Sequence, residues 1–186
     1  MVMVASAVLP ITDGSIDINK WLEVIESKFK TEEVNHIRSA CAFVQSDFEC
    51  TPTPIKLSCI NYGLEIANIL LNLSLDAESL IAAILYPTLQ YAEISITDLE
   101  EQFSLPVIKL LKGALQMDSF GELQQAGSVG SQQDNYRRML LAMVDDTRIV
   151  LLKLAERNVF MRHIQVLTKA QRTHYSERTL DIFAPL

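Results

Sequence analysis

The sequence predicts an all-α fold, a single helical bundle, and three observations carry that expectation. Apolar residues recur at three- and four-residue spacing in almost every periodic segment. Alternating β-branched runs between tight turns, the signature of strands, are missing. Helix-start residues such as Asp17 and Asp76 stand directly before those periodic segments.

Taken in order, a first helix follows Asp17, with Trp21, Ile25 and Phe29 at i, i+4 and i+8. A second follows Thr31, placing Val34, Ile37, Cys41 and Val44 on one face. Pro52 and Pro54 break the chain. Leu57, Ile60, Leu64, Ala67 and Leu71 then form a stripe ending near Leu73, and Asp76 caps the next helix. That helix, Leu80 to Leu89, is apolar nearly all round and so is expected at the centre of the domain. Pro87 removes a backbone donor at a cost of about 3 kcal/mol in a helix interior, which predicts a kink or an early stop near Leu85.

Thr97 and Glu100 fit a capping box for a short helix through Phe103. Pro106 suits the first turn of a helix carrying Val107, Leu110, Leu111 and Ala114. Residues 117–133, with Gly121, Gly127 and Gly130 among Ser and Gln, read as a mobile loop. Helical spacing resumes from Asp134 with Tyr136, Leu140 and Met143, then Ile149, Leu152, Ala155 and Val159. A last segment spans Lys169 to Phe183, and no internal repeat is visible.

The 186 residues, 49% hydrophobic and 21% charged, suit one large globular domain. No apolar run reaches the roughly 18 residues needed to cross a bilayer, so no membrane association is expected. Met1 to Pro10 lacks a basic leader and a cleavage site, which makes a cytoplasmic location the expectation. Cys41, Cys50 and Cys59 are odd in number and lack C-x-x-C spacing, so reduced thiols are expected. A net charge of −7 opposes non-specific attraction to nucleic-acid phosphates, and no direct DNA binding is expected. Arg137, Arg138, Arg148, Lys153, Arg157 and Arg162 make the one basic stretch. Asp145, Asp146 and Glu156 interrupt it, the pattern of a solvated helix face.

The residues alone nominate no catalytic centre. His36, His163 and His174 stand singly, without a histidine at i+3 or i+4, and read as surface or cap residues. Asp145 and Asp146 are adjacent and diverge by about 100° on a helix, so salt bridges to Arg148 or Lys153 suit them better than joint metal ligation. There is no phosphate-binding P-loop, no G-x-G-x-x-G and no G-x-S-x-G.

Three longer stretches do resemble one family. DNYRRMLLAMVDDTRIVLLKLAERNVFMR (Asp134 to Arg162) closely resembles a run of the kind N-x-R-K-M-x-x-A-M-x-x-D-x-R-V-x-x-I-K-L-A-D-R-x-H-N-M-R in the long RelA/SpoT-type alarmone enzymes. IANILLNLSLDAESLIAAILYPTL (Ile66 to Leu89) is similar to their V-A-x-I-L-x-x-L-x-x-D-x-x-T-L-x-A-A-L-L-H-D-V, and the terminal TLDIFAPL to their T-L-x-I-Y-A-P-L-A-x-R-L-G. The likeness spans roughly Asn61 to Leu186, is weak across the expected loop, and leaves residues 1–54 as a poorly matched extension. It implies an HD-type hydrolase-like bundle of about eight to ten helices, occupying residues 1–186 as one domain.

Members that hydrolyse (p)ppGpp hold Mn²⁺ with two histidines and two aspartates, beside a Glu-Asp pair that helps activate water. A cation there polarises phosphate oxygens and lowers the pKa of bound water. In this sequence the first histidine falls on Tyr62, the His-Asp pair on Tyr86 and Pro87, and the Glu-Asp pair on Gln90 and Tyr91. Glu156 replaces the remaining aspartate, while Val159 and Phe160 replace a His-Asn pair that contacts substrate. Tyrosine has an ordinary pKa near 10 and proline has no ligand side chain. The resemblance therefore implies no metal cofactor, a lost Mn²⁺ site, and the RelA-type branch whose hydrolase-like domain is degenerate.

It further implies a parent that transfers pyrophosphate from ATP to GTP or GDP. The partners implied are an adjacent synthetase domain and, through C-terminal domains missing here, the ribosome. The chain ends at Ala184, Pro185 and Leu186 inside a family motif, so an excised domain is expected. Two other readings stay open: a phosphohydrolase with unconventional ligands, and a domain that senses guanine nucleotide with Tyr62, Tyr86 and Tyr91 stacking on the base.

Overall fold

The computed structural model describes residues 9–12, 15–46, 51–123 and 146–184. Among them the fold is helical apart from a short antiparallel ladder, β1 (Ile11–Thr12) with β2 (Ser15–Ile16), in which Ile11 pairs with Ile16. Eight α-helices follow: α1 (Ile18–Glu26), α2 (Thr31–Gln45), α3 (Cys59–Asn72), α4 (Ala77–Tyr91), α5 (Ile96–Glu100), α6 (Leu105–Leu123), α7 (Thr147–Arg162) and α8 (Lys169–Arg178). A 3-10 turn, Ile164–Val166, joins the last two, and a π-helical turn, Thr179–Phe183, ends the described chain.

The centre is the antiparallel pair of α3 and α4, with α2 and α6 against α4 and α7 against α3 and α6. Helix α4 is buried from Ile81 through Thr88, as its all-round apolar character predicts. Gly63 sets the closeness of the pair: a Cβ there would lie 2.6 Å from the Ile84 carbonyl oxygen. Backbone therefore meets backbone one residue from Tyr62.

The turn between these helices is a Schellman-type stop. Leu75 N donates to Leu70 O at 3.1 Å and Ser74 N to Leu71 O at 3.1 Å, with Ser74 at φ 60°. Asp76 then caps α4, accepting from Ser79 N at 2.9 Å and Ser79 Oγ at 2.6 Å. Asp17 caps α1 in the same way, and Trp21 Nε1 donates to Asn68 Oδ1 at 3.3 Å, tying α1 to α3.

Several expectations need correction. Helix α4 does not stop near Leu85 but runs through Pro87 to Tyr91. Its burial against α3 outweighs the missing donor, as tertiary packing commonly does over local propensity. The capping box of α5 is Ser95 with Asp98, not Thr97 with Glu100. Helix α6 does not lapse at Met117; it continues to Leu123, and the rest of the expected loop lies outside the described residues. The helical stretch expected from Asp134 is described only from Asp146 onward. Phe29 lies just beyond α1, half-buried against the core.

Cys41 is a free, buried thiol whose pKa burial pushes up to about 12, whereas Cys59 is disulfide-bonded and not the reduced thiol expected. Among the described residues no helix is long and apolar enough to cross a membrane.

Candidate functional site

Helices α3, α4, α6 and α7 converge on one buried polar cluster. Tyr62 enters from α3, Tyr86 and Gln90 from successive turns of α4, Asp118 from α6, and Lys153 with Glu156 from one face of α7. The i, i+4 and i, i+3 spacings are what bring Tyr86 beside Gln90 and Lys153 beside Glu156.

Lys153 is the hub. Its Nζ donates to Asp118 Oδ1 at 2.5 Å, Glu156 Oε2 at 2.5 Å and Tyr86 Oη at 2.6 Å, which uses all three ammonium hydrogens. The ammonium also lies 4.8 Å from the Tyr86 ring centroid. Tyr86 Oη in turn donates to Asp118 Oδ2 and accepts from Gln90 Nε2 at 2.8 Å. Gln90 Nε2 reaches Asp118 Oδ2 at 3.0 Å, and Tyr62 Oη donates to Glu156 Oε1 at 3.4 Å.

Burial governs the protonation states. Desolvation, reinforced by the Glu156 carboxylate, holds the Tyr62 phenol well above its ordinary pKa. Tyr86 is raised by desolvation and then by Glu156 and Asp118. Tyr91 is also raised, chiefly by burial. Desolvation alone would pull Lys153 down, but the Glu156 and Asp118 carboxylates outweigh it and its pKa moves up. Neutral phenols around a charged ammonium are the resulting state.

The positions singled out in the sequence are thus brought together, with two exceptions. Tyr62, Tyr86, Gln90 and Glu156 share the network, and Tyr91 adjoins it with its ring 6.5 Å from that of Tyr62. Pro87 is buried in α4 and offers no polar side chain. Phe160 stands apart in an aromatic cluster, 4.6 Å from the Tyr175 ring. The guanidinium of Arg157 lies 4.3 Å from the Phe183 centroid and 5.5 Å from that of Phe160, and burial lowers its pKa.

Two members were missed. Asp118 fell within the expected loop, and no local signal marks it. Lys153, in a stretch whose mixed charge predicts a solvated face, is only 4% exposed, because α7 turns it inward. Among the described residues of that stretch, Arg162 is exposed as expected and Arg148 pairs with Asp146 and Asp76 at 2.5 Å each. Arg137 and Arg138 lie outside the described residues. Of the lone histidines, His36 and His174 are exposed, and His163 caps α7 with its Nε2 2.9 Å from Glu65 Oε1.

The family model described as "HD domain" matches residues 40–186. The chain belongs to the HD-domain family. This HD domain is 46% identical over 101 residues to a GTP pyrophosphokinase of Haemophilus influenzae, covering 54% of this chain and 14% of that protein. It is 28% identical over 164 residues to the bifunctional (p)ppGpp synthase/hydrolase SpoT of Escherichia coli K12, covering 88% of this chain and 23% of that protein. A solved structure described as a metazoan ortholog of SpoT that hydrolyses ppGpp superposes with a TM-score of 0.52 at 18% identity, covering 79% of this chain and 80% of that one. That likeness shows the fold. The HD domain is therefore homologous to proteins of ppGpp metabolism, pyrophosphokinases and hydrolases alike, and spans a quarter or less of the length of these two larger relatives.

Proposed function

We propose that this HD domain does not hydrolyse (p)ppGpp and acts as a regulatory module of a RelA-type GTP pyrophosphokinase. The observation that carries the reading is Lys153 Nζ, held within 2.6 Å of Asp118, Glu156 and Tyr86 in the heart of the site. The donor set does not fit Mn²⁺. Such a site needs imidazole and carboxylate ligands free to bind the cation. Here Tyr62 and Tyr86 present phenols that burial keeps protonated, Pro87 presents nothing, and Glu156 is already paired with an ammonium.

A polar site that has lost its metal would bury unpaired groups at a penalty of several kcal/mol. The hydrogen-bonded tyrosines and the lysine remove that penalty, which favours a domain kept for its surface and shape. Such a domain can bias an adjacent synthetase domain by contacting its two conformations differently. Base stacking on the tyrosines is disfavoured, because Tyr62 and Tyr86 are wholly buried.

The test is a turnover assay of the 186-residue chain with ppGpp and Mn²⁺ at high protein concentration, paired with calorimetric titration of ppGpp and GDP. No release of pyrophosphate is expected. Mn²⁺-dependent release would overturn the proposal, and metal-independent nucleotide binding would redirect it to a sensor.

A further inference from the structure

Resting on that reading and extending it, we infer that Lys153 is a built-in replacement for a divalent cation, fixing α4, α6 and α7 to one another with no metal bound. Three oxygens from three helices, Tyr86 Oη, Asp118 Oδ1 and Glu156 Oε2, converge on its Nζ at 2.5 to 2.6 Å. Oxygens converging from separate elements are what a hard cation requires, and here an ammonium from the protein itself takes the central position. Further hydrogen bonds surround it, with Gln90 Oε1 left buried and without a partner among the described residues. Tyr86 gives its proton to Asp118, Gln90 reinforces both, and Tyr62 covers the second Glu156 oxygen.

Two carboxylates face this one ammonium: the Asp118 side chain is 28% exposed and that of Glu156 13%, while that of Lys153 is 5%. A divalent cation drawing on both carboxylates would have to displace the ammonium that already pairs with them. Lys153 thus both supplies the positive charge and bars a metal from it. The role is electrostatic, which separates it from mere packing of a lysine stem.

Four preparations of the 186-residue chain test this: wild type, Asp118→Asn, Lys153→Met, and a triple variant combining Lys153→Met with Asp118→Asn and Glu156→Gln. The melting temperature of the wild type is expected to be the same with and without millimolar Mn²⁺. Lys153→Met, which strands two carboxylates, should melt lower by on the order of 10 °C. The triple variant, of nearly equal volume but without stranded charge, should recover at least half of that loss. If Lys153→Met fails to fold while the triple variant folds, the inference stands. A triple variant no more stable than Lys153→Met, or one that also fails to fold, would show packing to be the role and overturn it. So would a wild-type melting temperature that rises with Mn²⁺ and no longer does so in Asp118→Asn. Metal binding without pyrophosphate release would remove this inference alone, whereas Mn²⁺-dependent release would remove the proposed function as well.

Discussion

Lys153 Nζ stands 2.5 Å from Asp118 Oδ1, an ion pair between residues 35 apart in sequence that joins α7 to α6. The pair is lopsided in exposure, with the lysine almost sealed and the aspartate partly open. Removing the aspartate's charge therefore leaves the buried partner under-compensated. Asp118→Asn is expected to lower stability by about 3 kcal/mol, the lower end for breaking a buried pair because Glu156 remains. Urea unfolding monitored by circular dichroism measures it, and a loss below about 1 kcal/mol would contradict the pairing.

Alkaline pH should unfold the domain through the same cluster. Tyr62, Tyr86 and Lys153 all hold their protons more tightly when folded than their ordinary values of about 10 and about 10.4 allow. Raised folded-state pKa values stabilise fully below the unfolded values, and that stabilisation is lost as pH rises through the folded ones. Stability is thus expected to stay level with respect to these groups to about pH 10 and to fall beyond it. Tyrosinate absorbance followed alongside unfolding gives the check: Tyr62, Tyr86 and Tyr91 should ionise only as the fold is lost. Ionisation of three or more of the five tyrosines in the folded protein near pH 10 would refute this.

Gly63 offers a purely steric test. A methyl group there would sit 2.6 Å from Ile84 O and 2.8 Å from Ile84 Cα, both backbone atoms that cannot rotate away. Gly63→Ala should push α3 from α4 and cost at least the roughly 1–3 kcal/mol typical of overpacking. Thermal unfolding that matched wild type would mean the two helices separate freely.

Ser74 points the other way. It is exposed and holds φ 60° as the left-handed residue that ends α3, a conformation glycine adopts without the side-chain penalty of about 1 kcal/mol. Ser74→Gly is expected to raise stability by about 0.5–1 kcal/mol, read from the urea midpoint at unchanged slope. A lower midpoint would show that the hydroxyl does more than the backbone geometry suggests.

The sequence by itself determined the helical class, the N-caps at Asp17 and Asp76, and the burial of α4, because each follows from spacing within one or two turns. The aligned positions Tyr62, Tyr86, Gln90 and Glu156 were legible too, through the motifs around them. Only the tertiary structure decided what joins them. Pro87 stays inside α4 because the surrounding core holds the helix, a long-range effect that local propensity does not register. Lys153 looked like one charge among many on a mixed helix, yet the packing of α7 against α3 and α6 turns it inward to meet Asp118. Asp118 belonged to a segment whose composition suggested a loop. An internal ion pair depends on two residues far apart in the chain facing each other across a low-dielectric interior, and periodicity carries no information about which faces will meet.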